Sequence, residues 1–116
     1  MGGGRWREMG LASGLLDGAV TWLRATASPE PQPVSAVVAR ETTQVNRAAD
    51  ALEIAVANGA YMGPMSAAQI VLGTALGLVE LRLPVWTWRE KRARLSAWND
   101  TIAMRPSFQA TMPPPL

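Results

Sequence analysis

Asp17 is the only charged side chain between Met9 and Leu23, set among glycines and apolar residues. A carboxylate in such surroundings is costly to bury unless it is hydrogen-bonded or put to use. If buried, it is a polar contact for a ligand; the alternative is a structural carboxylate paired with an arginine or capping a backbone amide. Farther along, Asp50 and Glu53 lie three apart, which puts both carboxylates on one helix face. Paired carboxylates suit acid–base work, but an exposed face explains this pair more simply. Arg89, Lys91, Arg92 and Arg94 cluster around Glu90, beside Trp86 and Trp88. Basic groups interleaved with indoles can hold a nucleic-acid backbone. The formal net charge is only +2, however, so a solvated helix start after a Trp-containing loop is the reading adopted, with no nucleic-acid partner.

The chain contains no cysteine and no histidine. Disulfides, Cys or His metal ligands, a thiol nucleophile and a Ser-His-Asp triad are therefore excluded within it. Its oxygen nucleophiles are serines, threonines and Tyr61, with no imidazole to activate them. Gly2-Gly3-Gly4 lacks the strand, the lysine and the spacing of a phosphate-binding loop. No residue of the chain is assigned a catalytic or metal-binding role.

These side chains sit in a chain of 116 residues, room for one domain, with 48% hydrophobic and 17% charged residues, a balance that favours a packed globule. Abundant Ala, Leu and Gly with few β-branched clusters point to helix. Charges vanish between Glu53 and Glu80, but Asn58-Gly59, Gly63-Pro64 and Ser66 interrupt that stretch. About 15 apolar residues remain, too few to cross ~30 Å of hydrocarbon, so no membrane partner is expected. Arg5, Arg7 and Glu8 interrupt any secretory leader. With the missing cysteine, this gives a cytoplasmic reading.

Residues 1–4 read as a flexible lead, 5–111 as one helical domain and 112–116 as a Pro-rich tail. The first helix is expected from about Arg5 to Ala27, with two apolar stripes. One joins Trp6, Met9, Ser13, Leu16, Val20 and Leu23; the other joins Leu11, Leu15 and Trp22. Two stripes predict partners on both sides, and Gly10, Gly14 and Gly18 predict a close approach by another helix or chain. Three alternating prolines between Ser28 and Pro33 make a stiff loop. A second helix runs from about Val34 to Ala57, with Val34, Val38, Val45, Ala48, Leu52 and Val56 inward and Glu41 at the edge. Asn58-Gly59 stops it.

Ser66 and Gln69 then form an N-capping box, with Met65 and Ile70 at the hydrophobic-staple positions. The third helix continues to about Leu81, and Gly73 and Gly77 let another helix pack tightly. A fourth helix spans about Glu90 to Met104. Arg105 is pushed out of helical geometry by Pro106, which starts a single further turn to Gln109. The fold class is all-α: a bundle of four main helices plus a short C-terminal turn.

Read in order, these segments resemble the C-terminal domain of bacterial glutathione S-transferases. Residues 11–20 (Leu-Ala-Ser-Gly-Leu-Leu-Asp-Gly-Ala-Val) are similar to that domain's first helix. Leu76-Gly77-Leu78-Val79-Glu80-Leu81-Arg82 resembles its Leu-Gly-Tyr-Leu-Asp-x-Arg segment, with Leu78 where tyrosine is usual. Trp88-Arg89, Leu95-x-x-Trp98 and Arg105-Pro106-Ser107-Phe108-Gln109-Ala110-Thr111 follow in the family's order, while Gln69 replaces the usual capping-box aspartate.

The resemblance implies conjugation of glutathione to hydrophobic electrophiles in cytoplasmic detoxification. It also implies a division of labour. The family's thioredoxin-like domain binds glutathione and supplies the thiol-activating residue, and no counterpart of it is found here. This chain would contribute a hydrophobic-substrate wall and a dimer surface, with Met9, Ser13, Leu16 and Asp17 as pocket candidates. Its partners would be that missing domain or a second copy, and an electrophile. Alone it is expected to bind no cofactor and to be inactive, with glutathione as co-substrate once the domain is supplied. The alternative is a non-catalytic helical domain for dimerisation or partner docking.

Overall fold

The computed structural model describes residues 2–27 and 33–109. The Pro-rich loop, the tail, and the side chains of Val34, Val38 and Glu41 lie outside what is described. Five helices follow in order: α1 Gly2–Ala27, α2 Pro33–Ala57, α3 Ala67–Arg82, α4 Ala93–Ala103 and the single turn α5 Pro106–Gln109. This is the expected all-α bundle. α1 packs against both α2 and α3, and α2 also against α4, so α1 does have partners on two sides.

The core selects a different face of α1 from the longer predicted stripe. Ala12, Leu15, Ala19 and Trp22 are buried, whereas Met9, Leu16 and Leu23 are half-buried and Trp6 is 79% exposed. Small Ala12 and Ala19, alternating with Leu15 and Trp22 along this face, let α2 and α3 approach the helix closely. That role of alanine is invisible to a pattern read from large apolar residues. On α2, Val45, Ala49 and Leu52 meet this face, and on α3 Leu72, Ala75, Leu76 and Val79 complete it. The helical glycines divide as well. A Cβ added at Gly10 or Gly14 would meet nothing within 4 Å, so no other helix of the described chain approaches there. One added at Gly73 would lie 2.5 Å from the ring of Phe108, which α5 lays over α3.

Two boundaries shift. α1 takes in Gly2–Gly4, which the sequence assigned to a flexible lead. α4 starts at Ala93, three residues after Glu90, because Lys91 adopts a left-handed φ of 61° that no α-helix continues through. The predicted stop of α2 is found at Gly59, with φ of 91°. Ser66 caps α3: its Oγ accepts the Gln69 amide at 3.2 Å. The return half of the box takes another course. The Gln69 side chain, 1% exposed, donates to the Met62 carbonyl at 3.0 Å and accepts from Arg105 at 3.5 Å. Arg105 also donates to the Gly63 carbonyl at 3.2 Å, so the turn before α3 is tied to the segment after α4.

Candidate functional site

Of the four pocket candidates on α1, Met9, Ser13 and Leu16 are half-buried and Asp17 is exposed. The buried-carboxylate reading of Asp17 therefore fails: the residue stands on the side of α1 turned away from Leu15 and Ala19. Only its backbone carbonyl is engaged by a side chain, accepting the Thr21 hydroxyl at 2.9 Å. Met9 lines a groove of about 520 Å³ with Glu8, Met62, Pro64 and Met65, at the start of α3. Ser13, Leu16 and Asp17 do not line it. Three thioethers along one groove give an adaptable apolar wall, and Met62 is 68% exposed.

Glu8 anchors that groove to the core. Its carboxylate accepts the Tyr61 amide at 3.2 Å, and its carbonyl accepts the Tyr61 hydroxyl at 2.6 Å. Tyr61 holds a left-handed φ of 62°, only 2% exposed, with Trp98 donating to its carbonyl at 2.9 Å and stacked edge-on at 6.0 Å. Burial, and then the charge of Glu8, push the Tyr61 phenol well above the usual tyrosine range. A phenol held protonated is an anchor, not a nucleophile.

Two members of the basic cluster, Arg89 and Arg92, are committed within the chain. Arg89 contacts Glu80 at 2.7 Å and Asp100 at 3.1 Å, and lies 4.7 Å over the Trp88 ring. Partial burial opposes its charge, but the hydrogen bond and charge of Glu80, joined by Asp100, outweigh that and raise its pKa. Arg92, only 8% exposed, donates to Asp50 at 2.9 Å, to the Trp88 carbonyl at 2.9 Å and to Asn46 Oδ1 at 3.0 Å. The Trp86 indole donates to the same Asn46 oxygen at 3.0 Å.

The Asp50–Glu53 pair belongs to this junction and is not a merely solvated face. Glu53 reaches from α2 to accept the Leu95 amide at 2.7 Å and the Arg94 amide at 3.2 Å, capping the first turn of α4. A carboxylate there satisfies orphan amides and complements the helix dipole. Sequence reasoning missed this cap because the two ends lie about 41 residues apart. The signal was indirect: residues 88–92, just before α4, include no Ser, Thr, Asp or Asn to cap it. Among the described residues no group of three acidic side chains is placed to hold a metal, and no helix is long and apolar enough to cross a membrane.

Neither a protein-family model nor a curated protein matches the sequence. Solved structures do match. A glutathione transferase family member from Pseudomonas fluorescens Pf-5, with bound S-(propanoic acid)-glutathione, superposes with a TM-score of 0.81 at 32% identity. The match covers 96% of this chain and 58% of that one. A structure of a glutathione transferase family member from the same organism, with bound glutathione, gives a TM-score of 0.80 at 32% identity over 96% of this chain and 56% of its own. The chain thus has the fold of these transferases over nearly its whole length, and spans less than two thirds of theirs.

Proposed function

We propose that this chain is the helical domain of a glutathione S-transferase, acting with a thioredoxin-like glutathione-binding domain to join glutathione to hydrophobic electrophiles in cytoplasmic detoxification. One observation carries the reading: 32% identity and a TM-score of 0.81 across 96% of this chain, against a transferase family member solved with a glutathione conjugate. The division of labour is consistent with the side chains this chain carries. Activating a thiol needs a donor or base beside the sulfur. This chain has no cysteine or histidine, and its one tyrosine is buried and hydrogen-bonded to a backbone carbonyl. What it offers is apolar wall, including the Met9 groove, and the exposed side of α1 for a second copy.

The test is a conjugation assay with glutathione and a chromogenic aryl halide. The chain alone is expected to give no turnover above the uncatalysed rate, and turnover is expected on adding a thioredoxin-like glutathione-binding domain, fused or in trans. Turnover by the chain alone would overturn the division of labour. No turnover with any supplied domain would favour the alternative, a non-catalytic dimerisation or docking domain.

A further inference from the structure

Three of the chain's six methionines, Met9, Met62 and Met65, line one groove of about 520 Å³. They come from two distant segments, and the backbone that carries them is fixed. Glu8 accepts both the Tyr61 amide and the Tyr61 hydroxyl, which holds the start of α1 against the turn before α3. Gln69 holds the Met62 carbonyl and Arg105 the Gly63 carbonyl. Gly63, with φ of 86°, turns the chain between Met62 and Met65, and Ser66 caps α3 directly afterwards. The side chains are less enclosed than this frame. Met9 and Met65 are half-buried. A methionine that only fills a core gap is covered by its neighbours, whereas Met62 is 68% exposed.

We propose that this groove binds one copper(I) ion through the thioether sulfurs of Met9, Met62 and Met65. Thioethers are soft, neutral donors, and such donors select copper(I) over the harder cations that carboxylates and water hold. An unbranched side chain with three rotatable bonds can turn its sulfur onto an ion while the backbone stays fixed. The chain has no thiol or imidazole to compete for the ion. The half-buried carboxylate of Glu8 lines the same groove and offsets a positive charge there. Binding at this place needs neither a second domain nor glutathione, so it stands or falls apart from the transferase reading.

Silver(I), a redox-inert stand-in for copper(I), tests the site on the full chain in buffer free of thiols and chloride. Methionine methyl groups are followed by NMR. Those of Met9, Met62 and Met65 are expected to shift together and saturate at one ion per chain, while that of Met104, 77% exposed, stays in place. Copper(I) affinity is then read by competition with bicinchoninate, with ascorbate keeping the metal reduced. Met9→Leu and Met62→Leu keep the apolar volume and remove one sulfur each. Each is expected to weaken copper(I) binding by more than the roughly tenfold that follows loss of a mere outer-shell partner, with unchanged helical circular dichroism. Met104→Leu should bind as wild type does. Absent shifts, a Met104 methyl that moves in step, or shifts of Met62 and Met65 without Met9 would overturn the site. So would a Met9→Leu or Met62→Leu variant that binds copper(I) as tightly as wild type.

Discussion

Replacing Arg92 with methionine is the sharpest test of how this domain holds together. Methionine keeps much of the apolar stem and removes every donor. Three partners lose the guanidinium, Asn46 through its side chain and, at 3.5 Å, through its carbonyl, and their surroundings rank them. The Trp88 carbonyl, accepting at 2.9 Å in a buried position, loses that donor; an unsatisfied buried acceptor costs about 1–3 kcal/mol. Asn46 Oδ1 loses one of two donors but keeps the Trp86 indole, which costs about 0.5–1.5 kcal/mol. The Asp50 side chain is 66% exposed, so water replaces the guanidinium and the loss is at most about 1 kcal/mol. Together these give about 3 kcal/mol. A domain of this size loses about 4 °C of Tm per kcal/mol, so Arg92→Met should melt about 12 °C below wild type. Asp50→Asn, which removes only the exposed partner, should fall by about 4 °C or less. Thermal and urea denaturation, followed by helical circular dichroism at one fixed protein concentration, measure both. Equal losses in the two variants, or an Arg92→Met variant within about 1 kcal/mol of wild type, would refute the ranking of buried carbonyl over exposed ion pair.

Three further outcomes are expected. Glu53→Ala removes both acceptors from the first turn of α4 and should cost about 1–2 kcal/mol in urea denaturation, with faster amide exchange at Arg94 and Leu95. Gly73→Ala gains about 1 kcal/mol of helix propensity but drives a methyl into the Phe108 ring; overpacking of about 1–3 kcal/mol should win, and Gly73→Ala combined with Phe108→Leu should recover part of the loss. The Tyr61 phenol titrates above its unfolded value of about 10. Stability from this group is therefore full below pH 10 and declines above it by up to about 1.4 kcal/mol per pH unit. In urea titrations at pH 9 and pH 11, Tyr61→Phe should flatten that decline; an unchanged slope would remove Tyr61 as its source.

The elements were legible in the sequence because their signals are local. Asn58-Gly59, Ser66 with Gln69, and Arg105-Pro106 act through the conformational preferences of a few adjacent residues, and α2, α3 and α5 begin or end where those residues place them. Lys91 shows the limit of such signals. Nothing in Glu90-Lys91-Arg92 forbids helix, yet Arg92 is drawn back onto Trp88, Asn46 and Asp50, and α4 starts late. Gln69 has the right type and place for a capping box, but its side chain is buried and goes to the Met62 carbonyl and Arg105, which the fold brings within its reach.

Asp17 and Glu53 mark the same division among candidate functional residues. Their types and spacings were visible; their roles depended on which face each helix turned inward. That choice fell to Ala12 and Ala19, whose smallness has value only when α2 and α3 stand against them. The sequence by itself determined an all-α chain with marked helix ends, no thiol or imidazole chemistry, and a resemblance that the fold bears out. Tertiary structure alone decided that Arg92 and Glu53 join α2 to the α4 end of the bundle, that Tyr61 is an anchor, and that Asp17 faces outward. Local preferences act over a few residues, whereas burial and charge pairing depend on groups tens of residues apart, and only the packed chain brings those together.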